Sequence, residues 1–256
     1  MQLTGFEGRC AFVTGAGGGI GQAAIARLRG AGARVFATDL PGALAGLSAA
    51  PDLLLHPLDV TDAAAVEAAL DAAETAFGPP ALAVHAAGML ETRPLLDLPP
   101  EAWDRVFAVN ARGSFLVARG LAARMADRGE GAIVVIGSNS GGVPRMDMGA
   151  YGASKAAAAM LVRSLGLEVA RQGVRVNLVA PGSTLTPMLS GMWDDPEAGA
   201  ARVVAGNPAQ YRTGIPLGKL ASPDDIAAAA MFLLSREAGH VTMADLYVDG
   251  GATLRA

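Results

Sequence analysis

Arg9-Cys10-Ala11-Phe12-Val13-Thr14-Gly15-Ala16-Gly17-Gly18-Gly19-Ile20-Gly21 is the stretch that decides the fold. Arg9–Thr14 reads as a short buried strand, and Gly15–Gly21 as a loop. An apolar-periodic helix follows from about Gln22 to Gly30. Strand, glycine loop and helix in that order suit dinucleotide binding. Glycines let the backbone approach a pyrophosphate, and the helix N-terminus stabilises its negative charge. Gly15, Gly19 and Gly21 are spaced G-x-x-x-G-x-G rather than G-x-G-x-x-G. A glycine loop alone could be only a tight turn; its place between strand and helix favours the cofactor role.

Working outward, Ala33–Asp39 reads as the second strand with Asp39 at its end. A carboxylate there can accept hydrogen bonds from both adenosine ribose hydroxyls and would repel a 2′-phosphate. No Arg or Lys stands at Gly17, Gly18, Thr38 or Leu40 to hold such a phosphate, so NAD is the expected cofactor. The plainer alternative is an acid at a solvated strand end. Leu53–Leu58 is a third strand running into Asp59-Val60. Thr61 or Asp62 caps a helix that reaches about Phe77 and stops at Gly78-Pro79-Pro80. Ala81–Ala86 is a fourth strand, followed by Ala87-Gly88. Pro99–Arg128 reads as one long helix with Asn110 and Gly113 in its middle, an unusual place for a polar Asn. Gly131–Gly137 is a fifth strand with Ser138-Asn139-Ser140 at its carboxyl end. Ala150–Gln172 is a helix, and Val174–Ala180 is a sixth strand closed by Pro181-Gly182.

Ser183–Pro216 breaks this rhythm. Its prolines and glycines, with Trp193 and Tyr211, read as a substrate lid or binding loop. Ser222–Ser235 is a capped helix and Met243–Val248 a last strand. The alternation predicts an α/β protein: a Rossmann-type, doubly wound, mostly parallel seven-stranded sheet with helices on both faces, as one domain over 1–256. Ligands of such sheets bind at the carboxyl ends of the strands. The glycine loop, Asp39, Ser138 and Pro181-Gly182 all fall at such ends.

Composition narrows the function classes. Of 256 residues, 52% are hydrophobic and 17% charged, which supplies a core and argues against disorder. The net charge is −4 and no Lys/Arg tract occurs, so neither a nucleic acid nor a membrane surface is the expected partner. Cys10 is the only cysteine, which rules out an intramolecular disulfide and a cysteine-based metal cluster; no metal site is read. No signal-peptide pattern is seen, and no apolar run reaches the roughly 18 residues a bilayer span needs, so a soluble cytoplasmic protein is expected.

Tyr151-Gly152-Ala153-Ser154-Lys155 carries the chemistry. A spacing of four on a helix puts phenol and ammonium on one face. A free phenol titrates near pH 10, and a neighbouring ammonium favours the phenolate, so a lowered Tyr151 pKa is expected. Such a pair could take the proton of a secondary alcohol while a cofactor accepts the hydride.

Over nearly its whole length the chain resembles the short-chain dehydrogenase/reductase family. The matching residues are Thr14–Gly21, Asp59-Val60, His85-Ala86-Ala87-Gly88, Asn110, Ser138, Tyr151–Lys155 and Pro181-Gly182, and the interval from Ser138 to Tyr151 is the family's. The resemblance implies a catalytic set of Asn110, Ser138, Tyr151 and Lys155. Tyr151 would be the general base, and Ser138 would orient the substrate oxygen. Lys155 would bind the nicotinamide ribose and lower the Tyr151 pKa, and Asn110 would anchor a water linking Lys155 to solvent. It further implies NAD held by Gly15, Gly19, Ile20, Gly21, Asp39, Leu40, Asp59, Val60, Ala87, Gly88, Tyr151, Lys155, Pro181, Gly182 and Thr184. His85 stands where the family usually has Asn and would brace the central sheet. His56 and His240 read as ordinary structural or surface residues.

Pro144–Ala150, Pro181–Thr186, Gly214–Lys219 and Val248–Leu254 look like the 2,3-dihydro-2,3-dihydroxybenzoate dehydrogenases of catechol-siderophore biosynthesis. That resemblance implies oxidation of a ring alcohol in a cyclohexadiene carboxylate, driven forward by aromatisation. An enzyme for the dihydro-hydroxyanthranilate analogue, or a general ketoreductase, would carry similar motifs. A catalytically silent nucleotide-binding protein on the same fold is the reading from another class, and the intact Asn110, Ser138, Tyr151, Lys155 set argues against it. A carboxylate leaving water needs a cation. Arg145 and Arg212 are the two candidates, with Arg145 alternatively a solvated loop residue or a partner of Asp147. Met146, Met188 and Met192, with Met148, would line the pocket for a flat ring. The helix at Ala150–Gln172 is apolar on more than one face. It therefore wants a partner beyond the sheet, and the family resemblance points to a homotetramer.

Overall fold

The computed structural model describes residues 2–254. Seven strands are present: β1 (Cys10–Thr14), β2 (Arg34–Asp39), β3 (Leu53–Pro57), β4 (Pro80–His85), β5 (Gly131–Ile136), β6 (Val174–Pro181) and β7 (Asp245–Val248). They form one sheet in the order β3-β2-β1-β4-β5-β6-β7. Every pairing is parallel, so the "mostly parallel" expectation sharpens to fully parallel. The order reverses between β1 and β4, which makes their carboxyl ends the switch point where a crevice opens.

Alternation along β1 shows how both faces are buried. Ala11 and Val13 join a core with α1 (Gly19–Gly30) and the helix Pro223–Leu234. Cys10 and Phe12 join the opposite core with α3 (Ala63–Phe77) and the helices Ser114–Arg128 and Gly149–Val169. A short α2 (Pro41–Leu44), which the sequence did not suggest, follows Asp39. Asp62, not Thr61, caps α3, accepting from the backbone N–H groups of Ala64 and Ala65. Burial raises the Cys10 thiol pKa to about 12, so this cysteine is not a nucleophile. His56 packs on Phe36 at 5.3 Å between ring centroids, and His240 is exposed.

The long helix expected over Pro99–Arg128 is broken. α4 (Pro100–Phe107) passes into a π-helical turn, Ala108–Gly113, before α5 (Ser114–Arg128) resumes. The break sits on Asn110, whose buried carboxamide bonds groups outside the helix while the Ser114 hydroxyl donates to the Asn110 carbonyl at 2.7 Å. The helix read over Ala150–Gln172 is α6 (Gly149–Val169), tightening to a 3₁₀ turn at Ala170–Gln172.

The segment 183–216 is not a bare loop. It carries α7 (Pro187–Ser190), α8 (Pro196–Ala205) capped by Asp195, and a 3₁₀ turn at Pro208–Gln210. Pro187, Pro196 and Pro208 stand at the first turns of these pieces, where no N–H is needed. α9 (Pro223–Leu234) begins with a reciprocal Ser222/Asp225 cap. Among the described residues no helix is long and apolar enough to cross a membrane.

Candidate active site

At the carboxyl ends of β1, β4, β5 and β6 lies a cleft of about 370 Å³, within the usual range for a small-molecule site. Ser138, Tyr151 and Lys155 line it, as do Ile20, Gly88, Pro181, Gly182 and Thr184. Arg145, Met146, Met148, Met188, Met192 and Arg212 line its outer part. Gly15, Gly19, Gly21, Asp39, Leu40, Asp59, Val60 and Ala87 stand outside the cleft lining, and Asn110 is fully buried behind it.

The glycine loop is built for close approach. Gly15 has φ +71°, and a Cβ there would come within 2.5 Å of the Ala86 carbonyl carbon. Only glycine fits both the left-handed backbone and that gap. Asp39 braces the loop: its Oδ2 accepts from the Gly17 N–H at 2.9 Å and its Oδ1 from the Leu40 N–H at 2.7 Å. Each carboxylate oxygen still has a free lone pair. An open glycine loop before a helix, followed by an acid at the end of β2, fits a dinucleotide without a 2′-phosphate. Asp59 instead accepts from the N–H and hydroxyl of Thr61, at 2.9 and 2.8 Å, to shape the turn into α3. Val60 is a packing residue against Gly113.

Lys155 is buried and donates to the Ile136 carbonyl at 3.0 Å. Its Nζ lies 5.8 Å from the centre of the Tyr151 ring. Burial pulls the Lys155 pKa down to about 8. Burial also pushes the Tyr151 phenol upward, and the Ser138 side chain pulls it back only in part. The spacing of Tyr151 and Lys155 predicted a lowered phenol, and the structure corrects this: removing a phenolate from water outweighs the stabilisation offered to it. Gly88 faces Lys155 and Asn110, since a Cβ on it would stand 3.2 Å from Lys155 Nζ and 3.3 Å from Asn110 Oδ1.

Asn110 ties three segments together. Its amide donates to the Met89 carbonyl at 2.9 Å and to Ser154 Oγ at 3.0 Å, and its Oδ1 accepts from the Met89 N–H at 2.9 Å. Ser154 Oγ in turn donates to the Tyr151 carbonyl at 2.7 Å. The sequence reading passed over Ser154; its only signal was its place within the Tyr–Lys interval.

His85 extends this network with a fixed direction. Its Nε2 is 3.0 Å from Ser114 Oγ and its Nδ1 is 2.8 Å from Thr14 Oγ1. Ser114 uses its one proton on the Asn110 carbonyl, so His85 Nε2 must donate and Nδ1 must accept from Thr14. Thr14 Oγ1 also accepts from the Ala87 N–H at 3.2 Å. Burial, then the Lys155 charge, lowers the His85 pKa to about 3, so the ring is neutral.

Beside Ser138, the Asn139 amide donates to Asp249 Oδ2 at 3.3 Å. Asp249 also accepts from the Gly251 N–H and from the N–H and hydroxyl of Thr253. The turn after β7 is thereby fastened to the loop that holds Ser138. Arg145 does not pair with Asp147, whose carboxylate takes the Gln210 side chain at 3.4 Å. Burial and the neighbouring Arg212 lower the Arg145 pKa, and Asp249 offsets part of this. Arg212 donates to Met148 Sδ at 3.3 Å.

A parallel sheet with this switch point, a glycine loop and a Ser138/Tyr151/Lys155 cleft defines a Rossmann-type oxidoreductase. The family model described as enoyl-(acyl carrier protein) reductase matches residues 15–253. The chain is 44% identical over 260 residues to the 2,3-dihydro-2,3-dihydroxybenzoate dehydrogenase of Bacillus subtilis, covering 99% of both. It is 46% identical over 250 residues to the vibriobactin-specific 2,3-dihydro-2,3-dihydroxybenzoate dehydrogenase of Vibrio cholerae, covering 94% of this chain and 95% of the relative. Among solved structures, the aldohexose dehydrogenase of Thermoplasma acidophilum matches with a TM-score of 0.89 at 26% identity, covering 100% of this chain and 98% of that one. The chain belongs to the short-chain dehydrogenase/reductase family.

Proposed function

We propose that this chain oxidises a ring alcohol of 2,3-dihydro-2,3-dihydroxybenzoate with NAD, giving 2,3-dihydroxybenzoate for catechol-siderophore or related secondary-metabolite biosynthesis. The observation that carries the reading is the convergence of Ser138, Tyr151 and Lys155 on one cleft whose outer part holds Arg145 and the methionines. The names of relatives matched from end to end support the choice of substrate.

Gly15, Gly19, Ile20 and Gly21 bind the pyrophosphate and Asp39 the adenosine ribose, with Leu40, Ala87, Gly88, Pro181, Gly182 and Thr184 completing the cofactor wall and Asp59 and Val60 supporting it through the turn into α3. NAD, when bound, supplies the hydride acceptor. Ser138 orients the substrate hydroxyl. Tyr151 takes its proton as general base. Lys155 binds the nicotinamide ribose and lowers the free energy of the phenolate as the proton transfers. Asn110 holds Met89 and Ser154, and so the start of α6, in register with Lys155. Arg145 meets the carboxylate, and Met146, Met188 and Met192 pack on the ring. Loss of the alcohol proton and a hydride leaves a ketone whose tautomer is aromatic, which pulls the reaction forward.

Exposed Met160 and Leu167 on α6 and Phe115 on α5 support a homotetramer, and a small cyclic hydroxy-carboxylate with NAD suits the cytoplasm. The test is NADH absorbance on mixing protein, NAD and the dihydrodiol carboxylate. No NADH from this substrate, with NADH from an unrelated secondary alcohol, would overturn the assignment.

A further inference from the structure

Two cations share the outer cleft, and the Asp147 carboxylate that lines it with them takes the Gln210 side chain. Arg145 comes from the loop after β5, which belongs to the body of the fold, and Arg212 from the segment 183–216. Both side chains line the cleft with Ser138 and Tyr151. Among the described residues, neither makes an ion pair. Arg212 Nε is buried without a hydrogen-bond partner, and one of its terminal nitrogens meets only a thioether. Asp147 is turned to Gln210, and Asp249 is engaged by Thr253, Gly251 and Asn139. Two adjacent guanidiniums short of acceptors disfavour each other until an anion arrives.

We propose that Arg145 and Arg212 bind one substrate carboxylate together, so that the carboxylate fastens the segment 183–216 to the body of the enzyme. This rests on the proposed carboxylate substrate and adds the second arginine and the closure. Arg212 is then a specificity-determining residue as much as Arg145. A neutral ring alcohol, lacking the anion, leaves the two cations apposed and the segment untied.

The test titrates NAD-saturated protein with 2,3-dihydroxybenzoate and with catechol, which lacks the carboxylate. Arg145→Met and Arg212→Met should each weaken 2,3-dihydroxybenzoate binding by about ten- to a hundredfold and leave catechol binding unchanged. Arg212→Lys, which keeps the charge without the planar fork, should recover part of the loss. Hydrogen exchange over 187–214 should slow when 2,3-dihydroxybenzoate binds to the unsubstituted protein, and not when catechol binds or when Arg212 is Met. Normal 2,3-dihydroxybenzoate affinity in Arg212→Met, with loss in Arg145→Met, overturns the shared clamp and leaves the carboxylate to Arg145 alone. Equal affinity of the unsubstituted protein for the two ligands overturns the clamp and the carboxylate substrate together.

Discussion

His85→Asn should change how stability depends on pH. In the folded protein the ring is neutral with a pKa of about 3, because burial and then the Lys155 charge oppose protonation. In the unfolded chain the ring titrates near its ordinary value of about 6.5. Between these values the unfolded state holds the extra proton, so stability rises with pH and is lost as pH falls below about 6.5. One such group approaches a slope of ~1.4 kcal/mol per pH unit well below pH 6.5, so going from pH 6.5 to 4.5 removes ~2 kcal/mol. Asparagine does not titrate, so this loss should be absent from the variant's profile. At pH 7.5 the variant should be weaker by about 1–3 kcal/mol, because the shorter amide cannot reach both Thr14 and Ser114 and leaves a buried hydroxyl unpaired. The assay is urea unfolding followed by circular dichroism at pH 7.5, 6.5, 5.5 and 4.5 on both proteins. Carboxylates titrate in both, so the difference between the two curves isolates the histidine. Parallel curves would show that His85 takes up its proton in the native state as readily as in the unfolded chain, and the depressed native pKa would then be wrong.

Other outcomes follow from the site. Tyr151→Phe should lower turnover by about 10² or more while NAD still binds, measured by steady-state rates and by a separate cofactor titration; near-normal turnover at neutral pH would remove Tyr151 from the mechanism. Since burial raises the Tyr151 phenol, alcohol oxidation should quicken throughout a pH rise from 7 to 9.5 as the phenolate fraction grows; kcat/KM that is flat over that range contradicts a phenol base. Asp39 should make NAD strongly preferred over NADP, and equal catalytic efficiencies with the two cofactors would refute its ribose role.

The fold was legible because its strands are short apolar runs closed by glycine or by an acid, and both faces of β1 had to be covered. The neighbours that converge on the cleft were legible for a related reason, since Ser138, Pro181 and the glycine loop stand at the carboxyl ends of β5, β6 and β1. What the chain hides are effects of tertiary burial. Tyr151 and Lys155 four residues apart suggest a depressed phenol, but sequence spacing carries no information about lost hydration. Asn110 marked the helix as odd without showing a π turn, because its partner Met89 comes from the loop after β4. Histidine at position 85 announced only a departure from the family's Asn, and its partners Thr14 and Ser114 lie far from it in sequence. Helices α7 and α8 were masked by prolines, which read as breakers when their positions within the first turn are unknown.

The fastening of Asn139 to Asp249 has a consequence for biosynthesis. Residues 249–254 follow every other contributor to the cleft, so a growing chain emerging from the ribosome could assemble β1 to β6 and α6 first. Until Asp249 emerges, the loop holding Ser138 lacks the carboxylate that anchors Asn139, and Gly250 is not there to accept the Leu217 N–H that roots the segment 183–216. A nascent chain would therefore hold a folded nucleotide-binding half before it could position an alcohol, and would gain catalytic competence only once residues 249–254 have emerged.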